Sequence, residues 1–291
     1  MSDDRTKHVL ENAGIPTAFV GAAQASAIAN PRKPGDFMQD GLLHCGKCKT
    51  PKQCRVTVCG EEHTVSCMCQ CREQAAAAEK EADEARQKAL RVAALRTSGL
   101  MDVSLRPVRF DTDDLRARGY TDKGRRYVAN WGIVERDNVG MLLWGNTGTG
   151  KTFLAACIAN ALIDQGVSVM MTSFPRILSA VQGLRPDERA GYLDDLNRYR
   201  LLVIDDLGAE RQSDYALEIV YNVIDGRYKA QKPLIVTTNI PLGEMQKAPN
   251  MDYQRIYDRV LAVCVPIKID GESRRKEIAA DKVATAKEIF S

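Results

Sequence analysis

The 291 residues predict an α/β fold in which a central parallel sheet carries helices on both faces, preceded by a small cysteine-rich module and a connector helix. Three observations predict it. Short apolar strands alternate with helical runs from Thr121 onward, and a glycine-rich turn, Gly145 to Thr152, separates one strand from the helix that follows. Seven of the nine cysteines fall between Cys45 and Cys71.

Composition bounds the answer. Apolar residues make up 44% and charged residues 27%, which excludes a wholly disordered, fibrous or membrane-embedded chain. No apolar run approaches the ~18 residues of a membrane span, and the first ten residues lack the basic-then-apolar plan of a signal peptide, so a cytoplasmic location without membrane contact is expected. The balance of 41 basic and 38 acidic residues leaves a formal charge of +3; any contact with nucleic acid must be local.

Residues 1–40 are turn-rich, with NPRKPGD at 30–36, and show only weak helical pattern near Lys7 to Ala13. Short strands are expected at 52–58 and 62–66. Residues 73–96, rich in Ala, Glu, Lys and Arg and free of Gly and Pro, predict one exposed helix ending before Gly99. Tyr127, Val128, Trp131 and Val134 lie at helical spacing within 121–134. Strands are expected at 141–144, 167–172, 201–205, 234–238 and 263–269, with helices at about 152–165, 174–183, 212–229 and 252–262. The resulting organisation is an N-terminal region 1–72 bearing the cysteines, a connector 73–98 and a larger domain 105–291.

Gly145, Asn146, Thr147, Gly148, Thr149, Gly150, Lys151 and Thr152 match GxxxxGK(S/T), and the flanks MLLW and FLAACIANALI, beginning at Phe153, supply the strand and helix a P-loop requires. Glycines let backbone amides close around phosphate, and the helix N-terminus faces the same anion. Lys151 is expected to reach the β- and γ-phosphates of ATP and Thr152 to ligate Mg²⁺. The run LLVID ending in Asp205 and Asp206 reads as a Walker B strand: Asp205 for Mg²⁺, Asp206 to polarise the attacking water, Glu210 as the competing base. Asn239, at the end of PLIVTTN, is a candidate for orienting that water. Arg255 and Arg259 lie one turn apart, where a planar guanidinium could reach a neighbouring subunit's γ-phosphate. Arg274 and Arg275 follow the last strand, where a cis-acting arginine could touch nucleotide.

Cys45-x₂-Cys48 aims two sulfurs at one tetrahedral centre, and Cys67-x-Cys69 supplies the second pair of a structural Zn²⁺ site, both thiols on one face of an extended chain. Cys54, Cys59 and Cys71 are candidate replacements, and an iron–sulfur cluster is the alternative chemistry. His44 and His63 read as bystanders, Cys157 and Cys264 as small core residues.

The ordered runs GNTGTGKT, LLVIDDLGAE, IDGRYKAQKPLIVTTN, RIYDRV and GESRR resemble the AAA+ ATPases of the bacterial DnaC and DnaI helicase-loader type and the similar IstB transposition helpers, over about residues 105–291. The resemblance implies ATP hydrolysis, Asn239 or Thr238 as sensor I, Arg259 as arginine finger with Arg255 as companion, and Arg275 as sensor II, with Arg274 in the place where such families often carry an aromatic. It implies self-assembly, contact with single-stranded DNA and a DnaB-type replicative helicase as partner, the helicase docking on the cysteine-bearing half. The alternative function is an IstB-like helper of transposition; a zinc-bearing scaffold or small-molecule kinase is a third class.

Overall fold

The computed structural model describes residues 32–58, 60–112, 118–209, 213–248 and 250–271, with Ser273 and isolated positions between 283 and 290. Contacts divide the chain into two units, meeting at Gln87 and Lys88.

In the first unit, β1 (Phe37–Gln39) and β2 (Leu42–His44) form an antiparallel hairpin. Its turn, Asp40 and Gly41, has φ of 53° and 75°, the paired left-handed geometry that an Asp-Gly turn favours. The strands expected from the sequence do not include this hairpin. A second hairpin pairs β3 (Gln53–Val58) with β4 (Glu61–Ser66). The Asp36 carboxylate fastens the surrounding loops, accepting from the amides of Lys33 and Gly46 and from Lys52 Nζ at 2.7–2.9 Å. Those three donors hold its carboxyl well below the usual range. Helix α1 (Gln70–Gly99) extends the expected helix 73–96 by three residues at each end.

The second unit is built on a five-stranded sheet in which every pairing is parallel, in the order β6-β7-β8-β5-β9. The strands are β5 (Gly140–Trp144), β6 (Val169–Ser173), β7 (Leu201–Leu207), β8 (Leu234–Thr238) and β9 (Cys264–Lys268). Alternate residues feed two separate cores. Leu143, Val203 and Ile235 face the layer of Trp131, Ile158 and Leu162, while Leu142, Ile204 and Val236 face that of Phe174, Val220 and Val260. A sheet buried on both faces needs such continuous apolar strands.

Before the sheet, α2 (Arg118–Ala129) and α3 (Trp131–Arg136) replace the single expected helix. Asn130 is the reason: its side-chain amide donates to Arg126 O at 2.8 Å, competing with the helical ladder, and its backbone leaves helical geometry. The remaining helices are α4 (Lys151–Asp164), α5 (Phe174–Gly183), α6 (Pro186–Leu196), α7 (Asp214–Lys229), α8 (Leu242–Gln246) and α9 (Met251–Val263). The helices expected from the sequence do not include α6 or α8. For α6 the signal was present in Pro186 at the first turn and Glu188, whose carboxylate accepts from the Arg185 amide at 3.1 Å.

Two details place the site. The end of α1 runs against β6: Leu100 bridges Met171, and a Cβ on Gly99 would lie 2.0 Å from Val169 O, so no larger residue fits there. Arg227, fully buried, donates to the carbonyls of Tyr199, Arg200 and Pro233 at 2.7–3.1 Å and ties together the chain entering β7 and β8. Burial pushes its guanidinium down to about 10.

Candidate functional site

The carboxyl ends of β5, β7 and β8 converge on one cavity of about 430 Å³. At the end of β5 the chain turns through Gly145, Gly148 and Gly150, with φ of 143°, 84° and 99°. Gly150 caps α4 directly, so the turn lies over that helix's unpaired amides. Lys151 folds back into the loop, its ammonium donating to Gly145 O at 2.9 Å, Asn146 O at 2.7 Å and Asn239 Oδ1 at 2.8 Å. The buried Thr149 hydroxyl donates to Asn146 O at 2.9 Å and braces the turn.

Opposite stands the end of β7. Thr152 Oγ1 donates to the Asp205 carboxylate at 2.9 Å, and Thr237 Oγ1 donates to the same oxygen at 2.7 Å. The register of β7 against β8 slips between Ile204 and Leu207, and Asp206 takes a left-handed φ of 63°, uncommon for a residue with a side chain. The Thr237 hydroxyl accepts from the Asp206 amide at 2.9 Å, and Asn239 Nδ2 donates to Asp206 Oδ1 at 3.1 Å, so the bulge presents both acids to the cavity. Asn239 lines the cavity; Thr238 is fully buried and its hydroxyl donates to Leu207 O.

Sequence reasoning missed three parts. Thr237, fully buried, organises both carboxylates. Asp102, Ser104, Leu105 and Val108 form the far wall. That wall is fixed from behind by the buried Asn160, whose amide donates to Leu105 O at 2.9 Å and whose carbonyl accepts from Arg96 at 3.2 Å. The available signals were the Asp102-x-Ser104 cap and a polar Asn within the apolar helix α4.

Burial is the largest influence on Asp205 and pushes its carboxyl up, assisted by the neighbouring Asp206 charge and opposed by the two hydroxyls and Lys151. A raised folded-state value means the folded protein holds that proton more tightly than the unfolded chain. The associated stability is present at acidic pH and is lost as pH rises through the folded value; at neutral pH the ionised group is a cost. Asp205→Asn, still able to accept from Thr152 and Thr237, is therefore expected to melt above the parent at pH 7. The gain should shrink toward pH 4. A melting point lowered at pH 7 would contradict this assignment.

Arg259 lies outside the cavity lining. On α9, its Nε donates to Asp225 Oδ1 at 2.5 Å, and its guanidinium sits over the Tyr221 and Tyr228 rings at 5.0 and 5.9 Å. Arg255 faces Asp214, Glu218 and Asp252 around a neighbouring hollow. Glu210, Cys59, Arg274 and Arg275 lie outside the described residues.

In the first unit, the sulfurs of Cys45, Cys48, Cys69 and Cys71 all lie within 4.8 Å of one another. Cys71 stands where Cys67 was expected. Cys67 still belongs to the extended chain, its amide donating to Lys52 O at 2.8 Å and its thiol to Pro51 O at 3.7 Å. Cys69 already opens a helix, its carbonyl accepting from the amides of Arg72 and Glu73, so the first turn of α1 carries residues 69 and 71 to one centre. Extended pairing of 67 with 69 was the wrong local geometry.

The cluster fits a tetrahedral metal. Its closest sulfurs are 3.5 and 3.6 Å apart, against about 3.8 Å for the edge of a ZnS₄ tetrahedron with 2.3 Å bonds. The Thr50 hydroxyl, 3.1 Å from Cys48, and nearby amides push the Cys48 thiol down to about 5, while the Cys69, Cys48 and Cys45 thiols push Cys71 up to about 12. Four thiolates this close repel; a divalent cation lets them ionise together.

A glycine turn capping a helix beside paired strand-end acids, on a five-stranded parallel sheet, defines a P-loop ATP-binding protein. The chain belongs to the IstB-like ATP binding protein family, whose model matches residues 71–281. It is 27% identical over 177 residues to the replicative helicase loader DnaI of Bacillus subtilis, covering 56% of this chain and 52% of that protein. Against the replicative helicase loader DnaC of Escherichia coli it is 31% identical over 141 residues, 47% of this chain and 55% of that one. A putative insertion sequence ATP-binding protein of Sinorhizobium fredii is 28% identical over 145 residues, 48% of each chain. The chain thus spans about half the length of the curated relatives it matches. In fold it resembles a crystal structure of DnaI, with a TM-score of 0.52 at 24% identity over 62% of this chain and 98% of that one. Among the described residues no helix is long and apolar enough to cross a membrane.

Proposed function

We propose that this protein is an ATP-dependent helicase loader: it binds a hexameric replicative helicase through its N-terminal, cysteine-bearing unit and delivers it to single-stranded DNA. The observation that carries the nucleotide part is the convergence of Lys151, Thr152, Asp205, Asp206 and Asn239 on one cavity. ATP phosphates fit under the Gly145 to Gly150 turn and against Lys151, with adenine toward Leu105 and Val108. Thr152 and Asp205 offer the hard oxygen donors that Mg²⁺ takes, which when bound neutralises charge on the phosphates. Asp206, held by Asn239, accepts the proton of the attacking water. Arg259 of a neighbouring subunit completes the site in an ATP-dependent oligomer, Arg275 acts in cis, and Zn²⁺ on Cys45, Cys48, Cys69 and Cys71 holds the N-terminal unit.

Support for the loader reading comes from the DnaI and DnaC relatives. The family model and the insertion-sequence relative favour a second reading, a transposition helper acting on duplex DNA. Immobilised full-length protein with ATP is expected to retain a bacterial replicative helicase stably, and to bind single-stranded DNA more weakly as salt rises, as phosphate contacts require. Absence of helicase capture together with ATP-dependent filaments on duplex DNA would transfer the assignment to the transposition class.

A further inference from the structure

Tyr221, Asp225 and Tyr228 lie at i, i+4 and i+7 on α7, one stripe facing α9, and all three converge on Arg259. We propose that Asp225, with the two tyrosines, is the positioning group that presents Arg259 to the neighbouring subunit's ATP; the inference rests on the trans-acting role of Arg259 given above. The bond is to Nε, on the stem side of the guanidinium. Nη1 has only a long contact of 3.5 Å to Arg255 O, and Nη2 has no hydrogen bond among the described residues. The fork that reads phosphate is thus spared while the plane and direction of the group are fixed. Asp225 is buried and Arg259 is 28% exposed, so the anchor is rigid and the cation reachable. The other Asp225 oxygen takes Lys229 Nζ at 2.7 Å, and these two cations keep the carboxylate ionised. An arginine ordered in advance loses little freedom when it meets its ligand.

The test measures ATP turnover of full-length proteins at high concentration with single-stranded DNA, alone and in mixtures. The reference is Arg259→Ala, which keeps its P-loop, mixed with Lys151→Ala, which keeps its arginine; restored hydrolysis establishes action in trans. Asp225→Asn is expected to lose about 10- to 100-fold in kcat with KM for ATP unchanged within twofold, the size of effect that misplacing a reacting group produces. Mixing with Lys151→Ala should restore it, because that partner supplies an intact clasp, whereas the double variant Lys151→Ala with Asp225→Asn should fail to rescue Arg259→Ala. If the reference mixture works while Asp225→Asn turns over like the parent, or loses activity that Lys151→Ala does not restore, the positioning role is wrong and the arginine reading stands. If the reference mixture stays inactive, the arginine reading itself is overturned and this proposal with it. Should Asp225→Asn fail to bind a fluorescent ATP analogue, Tyr221→Leu combined with Tyr228→Leu takes its place in the same mixtures, and absence of rescue there also overturns the proposal.

Discussion

Lys151→Ala is expected to reduce ATP turnover by at least ~10²–10³-fold while the protein keeps its fold. The ammonium is the charge that two carbonyls of the loop and Asn239 Oδ1 hold, at 2.7–2.9 Å. A cation fixed in advance near developing phosphate charge contributes differentially to the transition state, and loss of one such donor typically has that size of effect. Truncation also frees Asn239, which Lys151 and Asp206 together orient. The strands beneath are set by burial, not by this lysine, so the far-ultraviolet spectrum should be unchanged. Turnover within twofold of the parent would remove Lys151 from the site.

The second large effect concerns zinc. Purified in reducing buffer, the protein should carry about one Zn²⁺ per chain. Structural zinc supplies ~10–16 kcal/mol at neutral pH, as much as the whole stability of a typical domain, and the two short hairpins bury little else. Removing the metal with a strong chelator is therefore expected to unfold the region around residues 36–71 while the P-loop-bearing unit melts where it did before. Cys71→Ser should lose zinc as Cys45→Ser does, and Cys67→Ser should retain it, since Cys67 stands apart from the cluster. Iron in place of zinc would favour a cluster, and a metal-free protein with intact hairpins would discard the site.

The parts legible in the sequence were those whose geometry is local. Gly145 to Thr152 encodes a turn, a cap and a helix start within eight residues, and the apolar strands Leu201 to Ile204 and Leu234 to Val236 announce a sheet buried on both faces. What escaped depends on partners far along the chain. The wall from Asp102 to Val108 is tied to the cavity by Asn160, 55 residues beyond Leu105, whose amide donates to the Leu105 carbonyl. The Tyr221, Asp225 and Tyr228 stripe is visible at helical spacing, but its meaning comes from Arg259, 34 residues after Asp225. Cys71 displaced Cys67 because the helix begins earlier than its composition suggested, converting extended spacing into helical spacing. The first hairpin had its Asp-Gly signal and only three-residue strands on either side, too short to raise a periodicity.

The claim that this is a loader is tested most directly by following a replicative helicase onto closed circular single-stranded DNA. With the parent protein and ATP, helicase should accumulate on the circles well above the level reached without it, and Lys151→Ala should leave that background unchanged. Helicase that reaches the circles equally well with and without the protein, across the range of ATP and protein concentrations at which the ATPase is active, would contradict the account.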